Sequence, residues 1–333
     1  MEKVLVTGGA GYVGSHVCKA LAEDGYQPVC ADTLENGHRW AVQWGPLETV
    51  DTRDESGLAK VFARHRPIAV MHFAGYIQVG ESVLRPLAYY RNNIEGITAL
   101  LSVMQRFGVA PFVFSSTAAV YGPPDTMPIA ETHPLRPMNP YGASKLAGER
   151  ILFDLAATGA IRAVPLRYFN AAGASADGEI GEAHDPETHL IPNAIRAVHD
   201  PAFTLDMFGT DFDTRDGTAV RDYVHVEDLA AAHVAALAYL LDGGESRAVN
   251  LGTGCGASVR EVVETCARVI GRAPKCRHAD RRAGDPRALV ANCDLARELL
   301  GWRPRMSDLE TIIETANRWE TRCRIAEKSR DRP

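Results

Sequence analysis

The sequence predicts an α/β protein: a doubly wound parallel sheet joined to a smaller, mixed α/β domain at its C-terminal end. Three observations carry this. Short β-branched runs alternate with amphipathic segments through the first half, a glycine-rich turn joins the first run to the first helix, and the texture changes after Asn170. Continuous apolar runs suit strands buried on both faces. Strand–helix repetition implies right-handed crossovers, with ligands held at the carboxyl ends of the strands.

Taken in order, Val4-Leu5-Val6, Pro28-Val29-Cys30-Ala31, Ile68-Ala69-Val70-Met71-His72 and Phe112-Val113-Phe114-Ser115 read as parallel strands, and a further strand covers Arg162–Tyr168. Helical patterns lie at Gly14–Asp24, Glu55–His65, Tyr89–Phe107 and Tyr141–Ala157. Ala171–Thr188, rich in Gly, Ala, Asp and Glu, reads as a loop. Strands near Phe203–Phe208 and Ala248–Asn250 follow, with helices near Val226–Leu241, Ser258–Ile270 and Asp308–Arg322. The expected division is 1–170 for a cofactor domain, with segments near 219–252 returning to it. Residues 171–325 form a substrate domain and 326–333 a solvated tail.

The chain has 333 residues and a net charge of −6, with a pI near 6.0. This argues against a nucleic-acid protein working through a basic surface and against a polybasic membrane anchor. The apolar run after Met1 is too short for a secretory signal, and no run of about 18 apolar residues offers a membrane span. Seven cysteines, an odd number with no C-x-x-C, suggest neither a disulfide framework nor a zinc site. The expectation is a cytoplasmic protein.

The first strand runs into Thr7-Gly8-Gly9-Ala10-Gly11-Tyr12-Val13-Gly14. The row fits G-x-G-x-x-G from Gly9 or G-x-x-G-x-x-G from Gly8, ending on Gly14 in both. Such glycines allow a tight turn, close approach of backbone to a pyrophosphate and close helix packing, beside the positive end of a helix. Asp32 ends the second strand 21 residues after Gly11. A carboxylate there accepts from both ribose hydroxyls and repels a 2′-phosphate, so the domain reads as Rossmann-type and the cofactor as NAD. Asp51, closing a strand at Val50-Asp51-Thr52, lies at the depth of an adenine edge; a helix cap before Glu55 is the competing reading.

Tyr141-Gly-Ala-Ser-Lys145 places a phenol and an ammonium on one helix face. A surface helix pair is the plain alternative. A phenol near pKa 10 is a poor base at neutral pH; a nearby lysine and a positive nicotinamide would favour the phenolate. Phe114-Ser115-Ser116-Thr117, at a strand end, offers a hydroxyl for the substrate oxygen.

At this point the motifs resemble those of the extended short-chain dehydrogenase/reductases, and among them the UDP-hexose 4-epimerases. The likeness runs from Val4 to about Trp319. It rests on VTGGAGYVGSH (Val6–His16), HFAGY (His72–Tyr76), VGESV (Val79–Val83), FSSTAAVYG (Phe114–Gly122) and NPYGASK (Asn139–Lys145). LRYFNAAGA (Leu166–Ala174), RDYVHVEDLA (Arg221–Ala230), NLGTG (Asn250–Gly254) and RRAGDP (Arg281–Pro286) complete it. The resemblance implies a tightly bound, self-regenerating NAD and a UDP-sugar epimerised at C4 through a 4-keto intermediate. Tyr141 would be the base, Thr117 would bond the reacting oxygen, and Lys145 would hold the ribose and tune Tyr141. Gly8, Gly11, Tyr12, Val13, Gly14, Asp32, Thr33, Asn36, Asp51, Thr52, Phe73, Ala74, Gly75, Asn92 and Phe169 would line the NAD site with Tyr141 and Lys145. Asn170, His189, Leu190, Phe208, Arg221, Tyr223, Arg282, Asp285 and Leu289 would join Thr117 around the UDP-sugar. Two arginines suit a diphosphate, and Phe208 suits a uracil face; for Arg221 a salt bridge to Asp222 or Asp216 is the alternative.

Three departures stand out. Ile77 occupies a position where relatives often carry a lysine. His189 replaces an asparagine of the substrate lid. Its neighbours His184, Asp185 and Glu187 could suggest a metal, but the spacing is not the helical H-E-x-x-H, and the expectation is a lid or solvated loop without one. Leu289 stands where some relatives carry a bulky tyrosine, so N-acetylated sugars are expected to be tolerated. Among rivals, a 4,6-dehydratase needs an Asp-Glu pair after the threonine, where this chain has Ala118-Ala119. A UDP-pentose or UDP-glucuronate 4-epimerase shares the C4 chemistry and stays open. A non-catalytic NAD sensor would be expected to have lost Tyr141, Lys145 or Thr117. The resemblance also implies a homodimer through the helices at Tyr89–Phe107 and Tyr141–Ala157, whose stripe Ile94, Ile97, Leu101 and Met104 suits a dimer face or a domain core equally.

Overall fold

A computed structural model describes residues 1–282 and 285–330. In chain order the first half comprises β1 (Lys3–Thr7), α1 (Tyr12–Glu23), β2 (Gln27–Asp32), β3 (Leu47–Thr49), α2 (Glu55–His65) and β4 (Ala69–His72). It continues with α3 (Val79–Leu84), α4 (Pro86–Tyr90), α5 (Gly96–Phe107), β5 (Pro111–Ser115), α6 (Pro140–Ala156) and β6 (Arg162–Tyr168). Then come β7 (Asn170–Ala172), α7 (Leu190–His199), β8 (Leu205–Phe208), β9 (Val220–Arg221), β10 (Tyr223–His225) and α8 (Val226–Leu241). The rest is β11 (Val249–Leu251), β12 (Ala257–Ser258), α9 (Val259–Ile270), β13 (Cys276–Ala279), β14 (Ala288–Leu289), α10 (Asp294–Leu300) and α11 (Leu309–Arg330).

Seven strands form one parallel sheet in the order β3-β2-β1-β4-β5-β6-β11. Alternate residues supply opposite faces. Val4, Val6, Met71, Val113 and Val164 pack with Val17 and Leu21 of α1 and Leu237 and Leu240 of α8. Leu5, Val29, Val70, Phe112 and Ala163 meet Leu58 and Phe62 of α2, Leu100 and Met104 of α5, and Leu152 of α6. Burial on both faces explains why the strands read as unbroken apolar runs. Smaller pairings, β7 with β10, β8 with β13, and β9 between β12 and β14, lie toward the C-terminal half.

Three expectations need correction, and one open choice is narrowed. The strand before Asp51 is Leu47–Thr49, so Asp51 lies beyond its end. The helix expected at Tyr89–Phe107 is interrupted by a π-helical turn at Arg91–Glu95, between α4 and α5. Asn93 there turns inward to bond other elements, the kind of demand that distorts a helix near a site. Of the two readings left open for the apolar stripe, the domain core is the one seen for Ile97, Leu101 and Met104, which are buried in the chain's own core, while Ile94 is half-buried. Finally, α11 continues past Arg322 to Arg330; no Gly or Pro interrupts the chain before Pro333. The expected tail residues 331–333 lie outside the described residues.

Candidate active site

The strand order reverses between β1 and β4, and the crevice at their carboxyl ends is where such sheets hold ligands. Gly8 has φ +71°, and a Cβ on it would lie 2.5 Å from the Ala74 backbone nitrogen. A Cβ on Gly14 would lie 2.2 Å from the Gly8 carbonyl oxygen. Gly11 caps α1. The sharpest demands fall on Gly8 and Gly14; a Cβ on Gly9 would lie 2.9 Å from Cys30 Sγ and one on Gly11 3.3 Å from the Gly8 carbonyl oxygen, so the geometry does not choose between the two ways of reading the row. With Tyr12 and Val13 opening α1, free N–H groups and the positive helix end sit at the crevice.

Asp32 ends β2 beside this turn. Its carboxylate accepts from the N–H of Ala10 (3.1 Å) and of Leu34 (2.8 Å). Thr33 and Asn36 follow it on the surface. Asp51 behaves differently: Arg53 binds its carboxylate at 2.5 Å and holds its pKa below the ordinary value. The cap of α2 is Asp54, which accepts from the Gly57 N–H at 3.0 Å, so the cap expected of Asp51 belongs to its neighbour. Thr52 is buried under Gly96. Phe73 and Ala74 both donate their N–H groups to the Thr7 carbonyl, locking β4's exit to the glycine turn. Beyond them, Asn93 accepts from the Tyr76 N–H (2.9 Å) and donates to Ser144 Oγ (2.9 Å), while Asn92 donates to Asn93. Asn93 therefore couples the Gly75 loop to α6.

Asn139 caps α6 by accepting from the Gly142 N–H (2.9 Å), and the helix then presents Tyr141 and Lys145 on successive turns. The Lys145 ammonium is buried, donates to the Ser115 carbonyl at 2.9 Å and stands 5.0 Å from the Phe114 ring. Burial lowers its pKa to about 8. For Tyr141 burial raises the phenol, and the Thr117 hydroxyl, as hydrogen-bond partner, works the other way. The expected lowering by Lys145 is thus not the dominant effect in the protein by itself. Thr117 Oγ1 also accepts from the Ala119 N–H at 3.1 Å, which fixes the short turn after β5.

Beneath this turn lies a network that local sequence did not reveal. Arg167 donates to both oxygens of Glu149 (2.9 and 2.5 Å) and to the Tyr121 hydroxyl (2.9 Å). Ser116 donates to Glu149 at 2.5 Å, and Tyr121 donates to Asn250 at 2.6 Å. The residue before Thr117 is thereby fastened to α6, β6 and β11. The only signal was the presence of these polar residues inside otherwise apolar elements.

A second group collects around β9. Leu289 stands opposite Arg221 in the β9–β14 register, and Arg221 reaches Asp285 at 3.3 Å. The salt bridges weighed for Arg221 are absent among the described residues because their acceptors are engaged. Asp222 accepts from Thr253, Gly254 and Ala291, and Asp216 from Thr218 and Ser258. Leu289 and Phe169 pack on the same cluster as Ala118 and Tyr121, next to Thr117. Asn170 pairs with Tyr223 across β7–β10. Phe208 and Arg282 form their own pair at the β8–β13 edge, the guanidinium 4.2 Å from the ring centre. His189 and Leu190 open α7. The segment before them is not simply solvated: ligating atoms of Glu182, His184, Glu187 and His189 lie within 4.8 Å of one another, and Asp185 is not in that group.

The left-handed Gly8, the packed Gly14, the pinned Asp32 and the switch-point crevice together fit a dinucleotide, and Tyr141, Lys145 and Thr117 beside it supply a phenol, an ammonium and a hydroxyl, groups suited to proton transfer next to such a cofactor. Residues 4–252 match the NAD dependent epimerase/dehydratase family, and the chain belongs to that family. It is 53% identical over 321 residues to the UDP-glucose 4-epimerase of Rhizobium meliloti, covering 96% of this chain and 98% of that one. Its fold resembles the UDP-glucose 4-epimerase of Brucella ovis crystallised with NAD (TM-score 0.93, 48% identity, 95% of this chain, 98% of the other). It also resembles the UDP-Glc/GlcNAc 4-epimerase of Campylobacter jejuni (TM-score 0.85, 40% identity, 97% and 100%). Among the described residues no helix is long and apolar enough to cross a membrane.

Proposed function

We propose that this chain is an NAD-dependent UDP-hexose 4-epimerase interconverting UDP-glucose and UDP-galactose. The observation that carries the reading is the conjunction, at one strand-end crevice, of the Gly8–Asp32 dinucleotide cradle with Tyr141, Lys145 and Thr117. NAD, when bound, supplies the acceptor and donor of the hydride at the sugar C4. Tyr141 takes the proton of the 4-hydroxyl and returns it, while Thr117 bonds the same oxygen. Lys145, held by Ser115 and below its ordinary pKa, orients the ribose and adds positive charge next to a phenol that burial alone would keep protonated. The 4-keto sugar turns about its phosphate linkage and presents its other face. Asp32 takes the adenosine ribose hydroxyls, with Thr33, Asn36, Thr52, Asn92 and Phe169 lining the NAD site. Asp51, already engaged by Arg53, reaches an adenine edge only by sharing that partner.

Arg221 and Arg282 meet the diphosphate, Phe208 covers the uracil, and Asn170, His189, Leu190, Tyr223 and Asp285 complete the UDP subsite. Leu289, beside the Thr117 turn, leaves room for an N-acetyl group. Residues 1–170 with 219–252 act as the NAD half and 171–325 as the UDP-sugar half. The protein is read as a cytoplasmic homodimer. Exposed Val83, Leu84 and Leu87, on α3 and α4 where these pack against α6, offer apolar area for the partner; sedimentation equilibrium measures that state. The test of function is incubation with UDP-galactose and no added NAD, followed by NMR of the anomeric protons. Appearance of UDP-glucose supports the reading; no change even with added NAD moves it to UDP-pentose or UDP-glucuronate substrates.

A further inference from the structure

We propose that Glu182, His184, Glu187 and His189 form a site for one divalent late first-row metal ion, zinc being the best match. The four belong to an E-x-H-x-x-E-x-H segment on the loop between β7 and α7, which helical spacing rules do not detect. Both imidazoles turn Nδ1 toward one oxygen of Glu182, at 3.0 Å from His184 and 2.6 Å from His189. The same two nitrogens face Glu187, at 3.8 and 3.0 Å. Each Nδ1 carries at most one proton but confronts two carboxylates, and all four ligand atoms lie within 4.8 Å of one another. A proton serves one acceptor well; a central cation serves four. A tetrahedral shell with bonds of about 2.0–2.1 Å separates its ligand atoms by roughly 3.3 Å, within the 2.6–3.8 Å range of the imidazole–carboxylate spacings.

The donor set chooses the ion. Two imidazoles and two carboxylates suit zinc and its neighbours, whereas magnesium and calcium prefer oxygen alone. Two carboxylates offset the dication's charge. The site is also built, not merely exposed: the Glu182 side chain is 6% exposed. Trp319 donates to the Glu182 carbonyl (2.8 Å), His38 to the Ala183 carbonyl (2.7 Å), and Asn193 to the His189 carbonyl (2.9 Å). The His184 ring stands edge-on to Tyr12 at 6.1 Å between centres. An ion here would brace the segment leading into α7 against the glycine-rich turn.

The experiment dialyses the NAD-loaded protein against EDTA and titrates Co²⁺, reading its visible d–d absorption. Expected is one Co²⁺ per chain with tetrahedral bands, displaced by Zn²⁺ and unaffected by excess Mg²⁺. The His184→Asn, Glu187→Gln double variant should bind at least about 100-fold more weakly. As a readout that does not depend on how the variant folds, Zn²⁺ should raise the wild-type melting temperature while equal Mg²⁺ does not. Absence of tetrahedral bands, unchanged binding in the double variant, or a thiolate-to-cobalt band placing the ion on cysteine would each overturn the proposal.

Discussion

Arg167→Met probes the network that fastens the Thr117 turn. The guanidinium donates to both Glu149 oxygens and to Tyr121, and the two charged side chains are only 4% and 2% exposed. Methionine keeps most of the volume but supplies no donor, so the loss is electrostatic and not a cavity. Glu149 is left in the core with Ser116 as its remaining donor among the described residues. Breaking a buried ion pair from one side costs about 3–5 kcal/mol, because the surviving charge has lost both water and partner. Urea unfolding, compared at equal slope, measures this. The double change Arg167→Met, Glu149→Met should recover most of the loss, since no unpaired charge remains. Turnover should fall more than KM changes, because Ser116 precedes Thr117. A single variant within about 1 kcal/mol of wild type, or a double variant no better than the single, would refute the reasoning.

Tyr141→Phe should keep bound NAD and fold while epimerisation, followed by NMR, drops at least about 100-fold through loss of proton transfer. Gly8→Ala forces a Cβ to 2.5 Å from the Ala74 nitrogen at φ +71°; it should cost about 1–3 kcal/mol and abolish NAD retention, assayed by the cofactor released on denaturation. Lys145 has a folded pKa of about 8 against 10.5 for an exposed lysine, the reference for the unfolded chain. The unfolded chain therefore binds the extra proton between these values: the burial penalty is full below pH 8 and relieved toward pH 10.5. Relative to Lys145→Met, wild-type stability should rise by about 3 kcal/mol across that window; parallel curves would exclude it. Leu289→Tyr should suppress turnover of UDP-GalNAc while UDP-galactose turnover persists, whereas a wild type inactive on UDP-GalNAc would dispose of the N-acetyl expectation.

The sheet was legible because strands buried on both faces leave local apolar runs: β6 was expected at the residues it occupies, and α2 and α8 likewise. The two-residue strands β9, β12 and β14 left no such trace, since Arg221 finds Leu289 only through the tertiary fold. The π turn at Arg91–Glu95 is set by what Asn93 must bond elsewhere, and the end of β3 by pairing with β2. The glycine turn, Asp32 and the Tyr141–Lys145 spacing were readable because each demand is local. Glu149–Arg167 was not, for its meaning lies in convergence of residues on different elements; of the loop cluster, His184, Glu187 and His189 stood out by type, but Glu182 and the replacement of Asp185 by it show only in the folded loop.

The edge strand β11 has consequences for synthesis. Until residues 249–251 emerge from the ribosome, β6 presents its unpaired side to solvent, with Leu166 and Tyr168 waiting for Val249 and Leu251. A nascent chain that already holds the glycine turn and α6 thus carries a sticky, hydrogen-bond-hungry border through the making of some eighty further residues. Chaperone dependence and aggregation should peak over that interval, and fragments ending before Val249 should be insoluble even though they contain every residue of the Tyr141–Lys145–Thr117 set.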